Sequence, residues 1–333
     1  MKYLDLDEVF GVSRNIPGSY KSRESVDDLF LESLQQKKHI VIFGSSKQGK
    51  TCLRKRHLKE SRYITIHCNT NLDLKGLNEQ ILKLAGYEIT ISKTNTVGGT
   101  ANAEIEAGFK IIVQATAKFS TEARIEKNKT TSPLTIDLND VNDIINALKE
   151  ISFTKIILLE DFHYLNIKTQ IDFVNCLKAY YDESSLRFII VGIWLDENKL
   201  ITWNGDLAGR ITPINADKWE PNDLKSMIED GCYLLNIRFD ELLIDDIIVE
   251  SFDNVYFVQQ MCYSICKKSK VTRTVSSDSA TEGQSGYFDH NNDFISTSNN
   301  QDNRFFIGTI SNLSKISEEI VNVHSGRYLS FLK

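Results

Sequence analysis

The sequence predicts an α/β fold: a parallel sheet with flanking helices, a β-rich insertion and a small helical lobe. Two observations predict it. Short apolar runs bounded by polar residues recur along the first two-thirds of the chain, as strands buried on both faces require. Segments with apolar residues at helical spacing separate these runs, and strands that alternate with helices indicate parallel pairing.

Taken in order, residues 1–36 open with a polar segment followed by a helix, with Ser25 placed to cap it and Val26, Leu29, Phe30 and Leu34 facing inward. His39–Phe43 reads as a buried strand ending at Gly44, and Tyr63–Cys68 as a second. Leu74, Leu77, Ile81 and Leu84 mark a helix over 74–85. Lys155–Leu159 and Arg187–Val191 read as further strands, with a helix between them carried by Ile171, Phe173, Val174, Leu177 and Tyr180. A short fifth strand is expected at Ile211–Ile214. From Trp219 onward the pattern is helices only: one opening at Pro221, then Asp240–Ser251, then Val255–Lys267.

The α/β rhythm breaks between Gly86 and about Asp137. Beyond Gly98-Gly99 and Glu104, Val113, Ala115, Ala117 and Phe119 alternate with Gln114, Thr116 and Lys118, a period of two that predicts an inserted strand pair. It serves as surface padding or as an arm for assembly or partner binding. The expected division is an α/β domain over 1–217 with the insertion at about 87–136, and a helical lobe over 218–270. Residues 271–303 are rich in Ser, Thr, Asn, Asp and Gly and read as a disordered linker, leaving 304–333 unassigned.

Composition narrows the function classes. With 41% hydrophobic and 25% charged residues, the chain has enough apolar material for a full core. A net charge of −6 gives no general pull toward nucleic acid or anionic membrane. The cysteines at 52, 68, 176, 232, 262 and 266 form no Cys-x-x-Cys pair, and they read as buried reduced thiols of a cytoplasmic protein. Neither an apolar signal core at the N-terminus nor a membrane-length apolar run is seen.

The chemistry is concentrated at Gly44-Ser45-Ser46-Lys47-Gln48-Gly49-Lys50-Thr51, which fits the pattern G-x-x-x-x-G-K-[ST]. Such a loop turns backbone N–H groups around a phosphate, and glycine permits the dihedrals and the close approach. The helix that follows adds partial positive charge where the anion sits. Lys50 is expected to reach the β- and γ-phosphates of ATP or GTP, and Thr51 to hold Mg2+. The acidic counterpart is Glu160-Asp161, at the C-terminal end of an apolar strand, where ligands bind in open α/β sheets. Glu160 is assigned to the Mg2+ shell through water and Asp161 to polarising the attacking water, although either carboxylate can hold the metal. His163, two residues on, is either structural or a group that orients the site.

In this order, the phosphate loop, the Glu160-Asp161-Phe-His163 strand end, an apolar strand, Gly205-Asp-Leu-Ala-Gly209-Arg210 and a helical lobe resemble the AAA+ superfamily over roughly residues 18–267. The likeness is to its signal-transducing (STAND) and origin-recognition-like branch. Tyr20-Lys-Ser-Arg23-Glu24 is similar to that branch's Arg-Glu motif, which packs near adenine. Phe188–Gly192 takes the place of the sensor-1 strand, but it runs into Trp194 without the usual polar sensor. Arg210 stands where the family places an arginine finger, which acts on a neighbouring subunit's γ-phosphate. Asn254–Gln260 holds no sensor-2 arginine.

The resemblance implies an ATP- and Mg2+-dependent switch. It would oligomerise through Arg210 or the insertion, or engage a protein effector, in settings such as prokaryotic defence or control of mobile elements. Two alternatives stand beside it. One is a DNA-associated loader or transposition regulator, for which the sequence offers only Lys267, Lys268, Lys270 and Arg273. The other is a nucleotide-binding scaffold without turnover, suggested by the Glu-Asp order and the missing sensors. A metabolite kinase shares the loop, but Arg23-Glu24 and the lobe argue against it. Adenine is expected from the resemblance, and no Asn-Lys-x-Asp segment for guanine is present.

Overall fold

The computed structural model describes residues 3–12, 15–93, 109–115, 134–276, 285–288, 294–297, 305–310, 316 and 320. Its helices, in chain order, are α1 (Leu6–Val9), α2 (Leu29–Gln35), α3 (Lys50–His57), α4 (Leu74–Ala85), α5 (Val141–Glu150), α6 (Ile167–Glu183), α7 (Lys199–Trp203), α8 (Pro221–Leu235), α9 (Glu241–Glu250) and α10 (Val255–Lys268). The strands are β1 (His39–Phe43), β2 (Tyr63–His67), β3 (Tyr87–Lys93), β4 (Phe109–Ala115), β5 (Leu134–Ile136), β6 (Ile156–Glu160), β7 (Phe188–Val191), β8 (Ile211–Asn215), β9 (Ile237–Phe239), β10 (Ser285–Phe288), β11 (Phe294–Thr297) and β12 (Phe305–Ile310). The chain divides into two compact units: Phe30–Gly44 with Leu58–Asn215, and Met1–Leu29 with Ser45–His57 and Ala216–Lys333.

The first unit is built on a five-stranded sheet in the order β2-β6-β7-β1-β8, with all its pairs parallel. β1 and β6 are buried at every position, including His39 and Glu160 at their ends, and their apolar stretches 40–43 and 156–159 are what burial on both faces requires. The order doubles back at β1, which sits between β7 and β8. Because the strands are parallel, Gly44 after β1 and Glu160 at the end of β6 share the sheet's carboxyl edge, the ligand-binding edge of such sheets.

Helices cover the sheet with the residues their periodicity selects. α4 buries Leu77, Ile81, Leu82 and Ala85. Asp73 caps it by accepting the Gly76 N–H at 2.7 Å, and Gly86 ends it with φ 109°. That cap contributes about 1 kcal/mol. Asn166 caps α6 through the Thr169 N–H at 2.9 Å, and α6 buries Phe173, Val174, Leu177 and Tyr180. Each such large side chain contributes roughly 1.5–3 kcal/mol on burial.

The expected strand pair within 87–136 is realised as a three-stranded antiparallel sheet, β3-β4-β5. β4 ends at Ala115, while Gly98, Gly99, Glu104, Ala117 and Phe119 lie outside the described residues.

The second unit has its own core, formed by Phe10, Leu224, Met227, Ile228, Leu235, Leu243, Ile247, Val258, Met261 and Cys262 among others. Pro221 is at the start of α8, as expected. Three expectations need correction. The segment after Trp219 is not purely helical: Asn236 (φ 55°) ends α8 in a left-handed turn, and Ile237 and Phe239 point inward on β9. Three residues are too few for a period of two to be read. Residues 271–303, whose polar composition reads as a linker, contain β10 and β11, which join β12 and β9 in a four-stranded sheet. Ser25 does not cap the first long helix either, since the helical path starts in a π-helical turn, Glu24–Asp28, with Arg23 at its N-cap. Among the described residues, no helix is long and apolar enough to cross a membrane.

Candidate nucleotide-binding site

The loop after β1 has the backbone its sequence calls for. Gly44 has φ 133°, Lys47 φ 64° and Gly49 φ 83°. Positive φ at three of six positions turns the chain tightly before α3 opens at Lys50. The Leu53 N–H donates to the Gly49 carbonyl at 2.9 Å, so the loop runs straight into the helix ladder. Lys50 Nζ donates to the Ser45 carbonyl, folding the lysine back over the loop. Thr51, in the helix's first turn, is exposed.

The loop is also shown holding an oxyanion. The Ser45 N–H donates to both carboxylate oxygens of Asp217 at 2.8 Å, and Ser45 Oγ donates to Oδ2 at 3.0 Å. A backbone amide of this loop therefore takes an oxygen anion with good geometry, which is the donor chemistry a phosphate needs. The residues present fit a nucleoside triphosphate.

Beside Asp217 lies a buried wall. Arg23 is 1% exposed; its Nη1 donates to the carbonyls of Ala216 at 2.9 Å and Lys218 at 3.0 Å. Its guanidinium stacks 3.9 Å from the Trp219 ring. Burial pushes the arginine's pKa below its ordinary value, opposed by Tyr20, Asp27, Asp223 and Asp217. Asp27, fully buried, organises the approach: it accepts the Tyr20 hydroxyl at 2.6 Å and the Arg23 N–H at 2.9 Å, and lies 2.7 Å from His57 Nε2 at the end of α3. Burial and the Asp27 carboxylate together push the Tyr20 phenol well up. On another side of the loop, Lys47 Nζ stands 3.8 Å from the ring centre of Tyr256 in the first turn of α10.

In the unit that carries the parallel sheet, Glu160 ends β6 with its side chain buried. Asp161 follows in a left-handed conformation (φ 59°) and is exposed. A non-glycine residue held there is the kind of backbone found at functional turns. The Cys68 N–H donates to the Glu160 carbonyl at 2.9 Å. Burial, reinforced by the Asp161 and Glu160 carboxylates, pushes the Cys68 thiol up to about 12. His163 packs against Tyr164 at 4.2 Å between rings.

No protein-family model matches the chain, and no curated protein matches it in sequence. Among solved structures, the Walker-type ATPase of Pyrococcus abyssi superposes with a TM-score of 0.50 at 13% identity, covering 78% of this chain and 72% of that one. That likeness is one of fold: a parallel α/β sheet whose first core strand runs through a glycine-containing loop into a helix. Weaker likenesses include the Aeropyrum pernix ORC1 protein in complex with DNA (TM-score 0.47, 10% identity, 82% of this chain and 67% of that one). They also include a Pyrococcus horikoshii signal transduction ATPase with numerous domains (TM-score 0.40, 14% identity, 73% and 30%).

Gly192 directly follows β7. A Cβ built there would fall 1.7 Å from the Trp194 ring, so only glycine lets the indole lie across the strand end. Lys199 lies 5.0 Å from that ring, and burial lowers its pKa. Arg210 is held inside its own unit. Its Nε and Nη2 donate to the two oxygens of Asp182 at 3.0 and 3.3 Å, and Nη1 donates to the Asp206 carbonyl at 2.6 Å. The Asp182 hydrogen bond holds the guanidinium above its ordinary pKa.

The structure brings loop residues 45–51 together with Arg23 in one unit, and it places Gly44, Glu160, Asp161 and Arg210 in the other. Asp217, Trp219, Asp27, His57 and Tyr256 escape the sequence reading. Asp217 alone left a trace, as an acid just beyond a strand's carboxyl end. Trp219, His57 and Tyr256 enter only through partners distant in the chain, Arg23, Asp27 and Lys47, and no local spacing singled out Asp27.

Proposed function

We propose that this chain is a Mg2+-dependent ATPase working as a molecular switch, which assembles with copies of itself or engages a protein effector. One observation carries the reading: a loop with positive φ at Gly44, Lys47 and Gly49 presents Lys50 and Thr51 at a helix start, and its Ser45 N–H donates to an oxyanion, the Asp217 carboxylate. Lys50 exchanges the Ser45 carbonyl for the β- and γ-phosphate oxygens. The backbone N–H groups of Ser46, Lys47, Gln48 and Gly49 cradle the phosphates, and the α3 N-terminus adds its partial charge. Thr51 and, through water, Glu160 would hold Mg2+, which supplies charge neutralisation at the phosphates. Few protein ligands suffice for this ion when phosphates supply the rest. Asp161 orients and polarises the attacking water. Arg23, stacked on Trp219, shapes the base-side wall rather than donating to the base, since its Nη1 is engaged by two carbonyls. This supports adenine recognition by packing.

Arg210 completes the assembling form by reaching a neighbouring subunit's γ-phosphate, a step that requires its release from Asp182. That same pairing favours one second reading, a nucleotide-dependent scaffold with little turnover. ATP turnover and molecular mass, followed together across a protein-concentration series with Mg2+, separate the two. Specific activity rising with mass supports the switch. Tight binding with no turnover at any mass supports the scaffold.

A further inference from the structure

We propose that Asp217 is a positioning residue for the phosphate loop: its carboxylate clamps the loop's first turn in the shape that presents amides to phosphates. The inference deepens the nucleotide-binding reading above and rests on it. Ser45 is gripped at both ends of its backbone, its N–H by Asp217 and its carbonyl by Lys50. The two grips differ in what a triphosphate does to them. Lys50 must leave the Ser45 carbonyl to reach phosphate oxygens, whereas the Asp217 bonds point at a different group and persist. Asp217 is then what fixes the loop's entry while the ligand is bound.

The clamp is itself braced. Arg23 Nη1 donates to the carbonyls on either side of it, Ala216 and Lys218, and the Arg23 guanidinium rests on Trp219. Arg23 and Trp219 are 1% and 7% exposed, so the brace is buried. A bond from a backbone N–H to a carboxylate is charge-assisted and stronger than one to a neutral acceptor; here the Ser45 N–H shares its hydrogen between the two oxygens, and the Ser45 hydroxyl adds a second donor. A carboxylate beside a phosphate site also repels phosphate, so the same contact has a rival meaning: an internal anion that occupies the loop and must be displaced. The two meanings predict opposite signs. Loss of a positioning clamp weakens ATP binding, and loss of a competing anion strengthens it.

The test uses the full chain as wild type, Asp217→Ala, Asp217→Asn and Lys50→Ala. MgATP affinity is measured by calorimetry, and amide hydrogen exchange over residues 44–50 is followed without nucleotide. The clamp predicts that Asp217→Ala binds MgATP about tenfold more weakly. It also predicts that the loop amides exchange faster while those of β6 do not change. Asp217→Asn, which keeps one acceptor oxygen, recovers most of both, and it carries the test if Asp217→Ala fails to fold. Unchanged exchange with unchanged or tighter binding in Asp217→Ala overturns the proposal. If the wild type itself binds no MgATP, the nucleotide reading fails, and the exchange data alone decide whether Asp217 holds the loop.

Discussion

The Lys47 ammonium stands 3.8 Å from the ring centre of Tyr256, so the phosphate loop and the first turn of α10 are in direct contact. Tyr256 is 7% exposed, and a cation over a largely desolvated ring is worth about 0.5–2 kcal/mol. Under the proposed function a triphosphate would compete for the same ammonium, and this contact would then link the loop to α10. Tyr256→Phe keeps the ring face and should match the wild type in denaturant midpoint and loop exchange. Tyr256→Leu should lower stability by about 1 kcal/mol and loosen the loop. Identical behaviour of the two variants would mean that the ring face contributes nothing beyond its bulk.

Asp161 is exposed and held in a left-handed turn, while Glu160 is buried at the strand end. Asp161→Asn should keep MgATP affinity within about threefold and lower turnover at least about a hundredfold, the range for a general base. Single-turnover hydrolysis with bound ATP is the measurement. If Asp161→Asn turns over normally while Glu160→Gln does not, the two roles are reversed.

Arg210 is tied to Asp182 and the Asp206 carbonyl. For an arginine that acts in an assembled form, Arg210→Ala should remove the concentration-dependent part of turnover, at least about tenfold, and leave ATP affinity within about twofold. Equal specific activity of variant and wild type at every concentration would reduce Arg210 to its pairing with Asp182.

His39 gives a pH signature independent of nucleotide. Its Nδ1 accepts the Phe188 N–H at 3.2 Å and its Nε2 lies 3.1 Å from the Leu177 carbonyl, an arrangement satisfied by the neutral ring protonated at Nε2. Burial, aided by the Arg187 charge and opposed by the Leu177 bond, lowers its pKa to about 4. The folded value lies below the unfolded one, so its stabilisation is present above pH ~6.5 and is lost as pH falls toward 4. Between pH 7 and 5 the loss is about 2 kcal/mol. Urea unfolding at both pH values should show this loss in wild type and not in His39→Gln; the same pH slope in both would rule His39 out as its source.

Much of the sheet unit was legible because its signals are local. The runs at 40–43, 156–159 and 188–191 are wholly apolar, the pattern that strands buried on both faces show. Gly44–Thr51 carries its phosphate chemistry in eight consecutive residues. The mixed architecture of the other unit was not legible, because β9 is three residues long and β10 and β11 sit in polar sequence that resembles a linker. Within the candidate site, contacts joining distant positions were out of reach. Asp217 meets Ser45 across 172 residues, and no spacing rule pairs them. Arg23 was found as a motif residue, but its engagement with Ala216, Lys218 and Trp219 was not foreseeable from the motif.

Residues 44–51 are the proposed binding site for the phosphates of ATP. The most direct test is calorimetric titration of MgATP into the wild-type chain and into Lys50→Ala. Saturable one-site binding is expected for the wild type, weakened at least about tenfold in Lys50→Ala, the loss expected for a charged hydrogen-bond donor. Equal affinity of the two proteins, or no binding by the wild type, would contradict this assignment.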